Sequence, residues 1–199
     1  MPSLEDAVFA RPRLYELITR LALAWNYGRI PRLVVEIVSP RAHRVLDLGA
    51  GGGYLACPMI RCGRRVVSLD AGAVQLSYNR RQCAADMVLA DALRLPFRDG
   101  VFDAVVSSFA FHHLPDAVKA MTECRRMLAA GGQMALVDIL APAGWRRAAV
   151  AGVLAVEGWP RLYDELGWRR LAAQAGFRVE GFRRLHLGTL FLLEMRAER

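Results

Sequence analysis

VLDLGAGGGYLA, residues Val45 to Ala56, decides how this chain is read. Val45, Leu46 and Leu48 carry an apolar run into Gly49, Gly51 and Gly53, and a helical stretch begins behind them. Glycines there let the backbone turn tightly and approach a ligand closely, beside the electropositive N-terminus of a helix. Two features argue against a dinucleotide. The G-x-G-x-x-G pattern needs Gly or Ala at position 54, and the residue is Tyr54. Asp47 also sets a carboxylate close to the loop, where a pyrophosphate would be repelled. A ligand with an ammonium group would be attracted, and its carboxylate could meet the loop N–H groups. An amino-acid moiety satisfies both.

Working outward, Asp70 ends the next apolar run, VVSLD. An acid at a second strand end, about 20 residues past the glycine loop, is placed to take hydrogen bonds from ribose hydroxyls. It could also cap the helix that starts at Gly72 and Ala73. LADALRLPF, Leu89 to Phe97, follows the third run. Asp91 there could accept from an exocyclic amine, and Leu93 and Leu95 could cover a purine face. The fourth run, FDAVVSS, leads into Phe109, Ala110, Phe111, His112 and His113. Either histidine could act as a base, since an imidazole titrates near neutrality. The alternative is that one packs and the other braces the helix opened by Pro115 and Asp116. Phe109, Phe111 and Tyr54 could offer aromatic faces to a cation or be plain core. No third ligand lies near the histidine pair, so no metal is expected.

Periodicity extends this frame. Strands are expected over 45–48, 66–69, 87–90, 102–107 and 133–140, with helices over 54–62, 73–85 and 115–129, and Gly63 and Gly131 at helix ends. Strand–helix alternation with nearly continuous apolar strands indicates a parallel sheet covered on both faces. A helix over 164–175, closed by Gly176, then precedes strands over 178–184 and 189–195. Their short connection permits only antiparallel pairing. The expected fold is therefore α/β: a Rossmann-like three-layer α/β/α arrangement on a mainly parallel sheet with an antiparallel last strand. Residues 1–39 read as N-terminal cap helices and 40–199 as the ligand-binding domain. Ser3 can cap a short first helix, which Pro12 interrupts. Leu14, Leu17, Ile18, Leu21 and Trp25 recur at helical spacing as one apolar stripe, and Pro31 can open a further helix.

Taken together, VLDLGAGGG, VVSLDAG, LADALRLPFRDGVFDAVVSSFAFHHLPD and RRMLAAGGQMALVD resemble class I S-adenosylmethionine-dependent methyltransferases. The resemblance is to the ubiquinone/menaquinone-biosynthesis C-methyltransferases and their small-molecule relatives. It covers about Arg44 to Leu140. It implies a seven-stranded sheet, S-adenosylmethionine as cofactor, and S-adenosylhomocysteine as product. The implied cofactor residues are Asp47, Gly49, Ala50, Gly51, Gly53, Asp70, Ala71, Asp91, Ala92, Leu93 and Ser107. His112 and His113 stand where a methyl acceptor would meet the sulfonium. Tyr15, Trp25 and Tyr27 are candidate cap residues, and 148–156 could line an acceptor site.

Composition limits the rest. The chain has 199 residues and 22.1 kDa, the size of one domain. No stretch approaches the roughly 20 apolar residues of a membrane span, and acids near the start argue against export. The four cysteines form no zinc pattern and read as buried thiols of a reducing cytoplasm. Net charge is +8, and Lys119 is the one lysine among 27 basic residues. Scattered arginine pairs read as a solvated surface, though a basic surface also suits RNA or other anions. No Pro-Pro-aromatic signature follows the fourth run and no Pro-Cys nucleophile is present, which lowers a nucleic-acid reading. The expected partner is a small, apolar methyl acceptor. Alternatives are an RNA or protein methyltransferase, or a non-catalytic cofactor-binding module. An apolar cap helix could equally be a dimer face.

Overall fold

The computed structural model describes residues 10–144, 151 and 161–198. The apolar runs become the strands β1 (Arg44–Leu48), β2 (Arg65–Asp70), β3 (Asp86–Leu89), β4 (Phe102–Ser108), β5 (Leu128–Ile139), β6 (Phe177–Leu185) and β7 (Leu190–Ala197). They form one sheet in the order β3-β2-β1-β4-β5-β7-β6. β1 lies parallel to β2 and β4, and β2–β3 and β4–β5 are parallel. β7 runs antiparallel to both neighbours, β5 and β6. The order reverses between β1 and β4, and the crevice outside strand ends at such a switch point is where α/β sheets bind ligands.

The helices are α1 (Pro12–Leu23), α2 (Arg29–Ile37), α3 (Ala56–Arg61), α4 (Ala73–Gln82), α5 (Ala117–Met127) and α6 (Glu165–Gln174). Alternate residues of each central strand go to opposite faces. Leu46, Leu48, Val105 and Leu136 meet Met121 and Cys124 of α5 and Trp168 of α6 on one face. Val45, Ala104, Val106 and Val137 meet Val34 of α2 and Met59 of α3 on the other. Both faces are apolar because both are covered. Asp116 and Asp164 start α5 and α6 by accepting from the N–H groups of Lys119 and Gly167.

Pro12 opens α1, where its missing N–H costs nothing because the first turn leaves that donor unpaired anyway, and the short helix expected before it lies outside the described residues. Several expectations fail for physical reasons. Gly131 lies within β5, because the chain passes straight from α5 into that strand at Leu128. Most of the expected stripe does not reach the core: Leu14, Leu17 and Leu21 on α1 and Trp25 beyond its end are exposed, and Ile18 is half-buried. Cys57 and Cys83 are not free thiols. They form a disulfide between the start of α3 and the end of α4, with Cα atoms 5.3 Å apart, inside the range such a bond requires. Cys62 and Cys124 remain free. No described helix is long and apolar enough to cross a membrane. The proposed helix start at Ser3, and 148–156 apart from Ala151, lie outside the described residues.

Candidate active site

The glycine loop is built from the ends of β1 and β2. The N–H groups of Gly49 and Ala50 donate to the Leu69 carbonyl at 2.8 and 3.0 Å. Asp70 locks the loop from below: its carboxylate accepts from Gly51 N–H at 2.8 Å and from Gly72 N–H at 2.7 Å. One side chain thus ties the loop to the residue that opens α4. Glycine is required at Gly49, where φ is +66° and an added Cβ would lie 2.3 Å from the Ala110 Cβ. At Gly53 a Cβ would lie 2.7 Å from Asn79 Oδ1.

Asp47 lies beneath this loop and is 1% exposed. Among the described residues neither carboxylate oxygen has a hydrogen-bond partner of ordinary geometry. Burial raises its pKa to about 7; the Ala56 N–H at the head of α3 offsets this in part, and the charge of Asp70 adds to it. A buried carboxyl left without a strong partner beneath a glycine cradle fits a site completed by a cationic group.

The loop floors a cleft of about 960 Å³. Gly49, Ala50, Gly51, Gly53, Asp70, Ala71, Asp91 and Ala92 all line it. Asp91 also folds back to accept from the Leu93 N–H at 2.9 Å. Three other expected residues do not line the cleft. Asp47 lies below it. Ser107 is buried and donates to the Leu48 carbonyl at 2.8 Å, bracing β1 against β4. Leu93 packs against the core, as the fully inward Leu95 does.

The histidine pair separates in the same way. His113 lines the cleft. His112 is behind it, with Nδ1 2.5 Å from Asp138 Oδ1 and both side chains shut off from solvent. The His112 N–H also donates to Asp138 Oδ2 at 3.2 Å. Asp138 stands near the end of β5, so the pair ties the turn after β4 to its neighbouring strand. The two imidazoles are 4.0 Å apart, and His113 therefore rests on an anchored ring. Removing Asp138 should strand a buried histidine: Asp138→Ala is expected to lose roughly 3 kcal/mol in urea unfolding, and Asp138→Asn clearly less.

A cluster of aromatic side chains also lines the cleft. The Tyr54 ring is 4.8 Å from Tyr27 and 6.1 Å from Phe109, and all three line the cleft. The Tyr54 hydroxyl donates to the Tyr27 carbonyl at 2.6 Å, and burial pushes its pKa well up. Phe109 has φ +54°, a strained value for an aromatic residue, of the kind found where backbone position matters to a site.

Helix α1 covers the opening. Glu16 accepts from Tyr78 of α4 and from Arg20, both at 2.6 Å, and from Tyr27 at 3.3 Å. Burial acts to raise the Glu16 carboxyl, yet these hydrogen bonds outweigh it and hold its pKa below the usual range. Tyr15 also lines the cleft, whereas Trp25, 80% exposed, does not. Glu16, Tyr78 and Asp138 escape sequence reasoning. Asp138 alone carries a signal, as a lone acid in the apolar run MALVDIL.

Residues 46–136 match the family model of a methyltransferase domain. The fold and the glycine cleft are similar to those of class I S-adenosylmethionine-dependent methyltransferases, and the match to that domain takes in somewhat less than half of the chain. Its similarity runs to the menaquinone type. It is 36% identical over 136 residues to the demethylmenaquinone methyltransferase of Thermus thermophilus, covering 64% of this chain and 62% of that one. To the enzyme of the same name from Thermotoga maritima it is 30% identical over 132 residues, covering 64% and 58%. The chain thus spans less than two-thirds of these relatives. A chain in a complex of the Haloferax volcanii Trm112 methyltransferase activator with a methyltransferase superposes at TM-score 0.81, with 17% identity over 100% of both chains. A methyltransferase of Bacillus halodurans gives 0.71, with 20% identity over 86% of this chain and 98% of that one. At these identities the likeness concerns the fold.

Proposed function

We propose that this chain is an S-adenosylmethionine-dependent methyltransferase acting on a small, apolar acceptor, a quinone precursor or a similar ring, by C- or O-methylation. The observation that carries this is that one cleft is lined by the glycine loop, Asp70 and Asp91 and also by the aromatic side chains of Tyr27, Tyr54 and Phe109. The cofactor, when bound, supplies a methyl group on a sulfonium. Gly49, Ala50, Gly51 and Gly53 present the backbone, Asp70 and Ala71 the ribose side, and Asp91 and Ala92 the base. Asp47 acts from beneath, as a buried carboxyl close to the amino-acid end.

The chain also needs to align an acceptor and exclude water, because in-line transfer gains much of its rate from positioning. Tyr27, Tyr54 and Phe109 provide flat apolar walls, and α1 and α2, as a cap over the opening, keep water out. Where the acceptor must lose a proton, His113 is the base, held by the ring of His112. The protein works in the cytoplasm in this reading.

The test uses cofactor carrying a radiolabelled methyl group in an extract of the source cells, with Asp70→Ala protein as blank. Label is expected in the organic-soluble fraction. Label confined to nuclease- or protease-sensitive material would overturn the small-molecule acceptor. Asp70→Ala is expected to bind cofactor at least about tenfold more weakly, since a lost bidentate carboxylate costs more than about 1.4 kcal/mol.

A further inference from the structure

Helix α1 is turned inside out. Tyr15, Glu16 and Thr19 face the cleft. Leu17 is 53% exposed, Leu21 72% and Trp25 80%, and Leu14 is exposed above them. The spacing of the three leucines puts them on one side of α1, with Trp25 in the turn just beyond the helix end, and such a stripe normally faces a core. A contiguous apolar patch of this kind on a soluble fold marks an interaction surface.

The charges beside it say what the surface fits. Arg13, Arg20 and Arg29 are exposed around the stripe. Glu16, the one acid of α1, is turned inward onto Tyr78, Tyr27 and Arg20. Between α1 and α4 runs a groove of about 340 Å³ whose wall is mostly apolar, from Pro12, Val74, Tyr78 and the stems of Arg11, Arg13 and Arg81, with no acid in it. None of Arg11, Arg13, Arg29 and Arg81 takes part in an ion pair among the described residues. A second copy of this chain would set these arginines against their own counterparts, because a two-fold contact pairs the same patch with itself. An anionic bilayer meets both features at once. Leucine and tryptophan enter the headgroup boundary, and guanidiniums reach phosphates.

We propose that the outer face of α1, with the arginines of the groove between α1 and α4, docks the chain on an anionic lipid surface. The docking stands independently of the acceptor. That it would deliver the acceptor rests on the function proposed above, since the inner face of the same helix covers the cleft.

The experiment is co-sedimentation of the full chain with vesicles of phosphatidylcholine mixed with phosphatidylglycerol, and with phosphatidylcholine alone. Binding is expected to the mixed vesicles and at least about tenfold weaker without the anionic lipid, with a decline as salt screens the arginines. Leu17→Glu/Leu21→Glu and Arg11→Gln/Arg13→Gln proteins should each lose about tenfold or more. Neither leucine lines the cleft, so S-adenosylhomocysteine binding and the circular-dichroism melt of the leucine variant should match the wild type and show that it folds. Vesicle binding that ignores these substitutions, or none at all, would overturn the proposal. So would a wild-type dimer that the leucine variant dissociates, with no affinity for lipid. Vesicle docking by a protein that fails to bind S-adenosylhomocysteine would retire the proposed function and leave the docking in place.

Discussion

Gly49→Val is expected to yield little folded protein. Position 49 combines a φ of +66° with an added Cβ only 2.3 Å from the Ala110 Cβ. A β-branched residue is strained at such a φ, by about 1–3 kcal/mol before any clash. Relieving the clash means moving the turn after β4 away from the end of β1. That same turn is held by the Phe109 N–H on the Val137 carbonyl and by His112 on Asp138. The neighbour cannot give cheaply, so a total loss of roughly 4 kcal/mol or more follows, a large share of the 5–15 kcal/mol of an ordinary domain. Urea unfolding measures it. Gly49→Ala should be milder, and pairing it with Ala110→Gly should recover the steric part while leaving the cost of the dihedral. A Gly49→Val protein as stable as the wild type would show that the loop does not have this geometry.

Asp47→Asn is expected to become more stable than the wild type as the pH rises. The ordinary carboxyl value is 3.8, and burial raises the folded one to about 7. Between those values the folded chain keeps a proton that the unfolded chain has lost. Wild-type stability therefore falls as pH rises from about 4 to about 7, and the loss is complete above that. A shift of about 3 units corresponds to a penalty on the order of 4 kcal/mol. Asparagine does not titrate and should flatten this dependence. Thermal melts of both proteins at pH 5 and pH 8 give the sign directly. A cationic ligand end near Asp47 favours the ionised form, so cofactor should stabilise the wild type more at pH 8 than at pH 5. Identical pH profiles for the two proteins would mean that Asp47 is solvated or already paired.

Much of this was legible in the sequence, for a reason that also marks where legibility ends. The central strands are covered on both sides, so Val45 to Leu48 or Phe102 to Ser107 read as unbroken apolar runs whatever packs on them. The glycine loop was legible because only glycine meets its backbone demands at Gly49. The antiparallel last strand followed from the short link between two strands. What failed depended on partners far along the chain. Leu14, Leu17 and Leu21 have the spacing of a core face, and nothing local says that α1 presents its other side to the protein. His112 and His113 are adjacent and chemically equal. Asp138, 26 residues away from His112, takes one into the interior. Ser107 was named from the resemblance and Leu93 as a cover for a purine face, and neither reading showed that the one braces β1 against β4 and the other packs on the core. Cys57 and Cys83 are 26 residues apart in sequence and meet only through the folding of the chain between them.

The central claim is that the glycine loop and Asp70 hold S-adenosylmethionine. Titration calorimetry with S-adenosylhomocysteine tests it most directly, run on the wild type and on Asp70→Ala with a thermal melt of each. One site is expected in the wild type, with at least about tenfold weaker binding in the variant and a melt only slightly lowered, since Gly51 and Gly72, whose N–H groups lose their acceptor, are both partly exposed to water. No binding by the wild type would contradict the account outright. A variant that loses stability in step with affinity would make Asp70 a structural tie of the loop instead of a ligand.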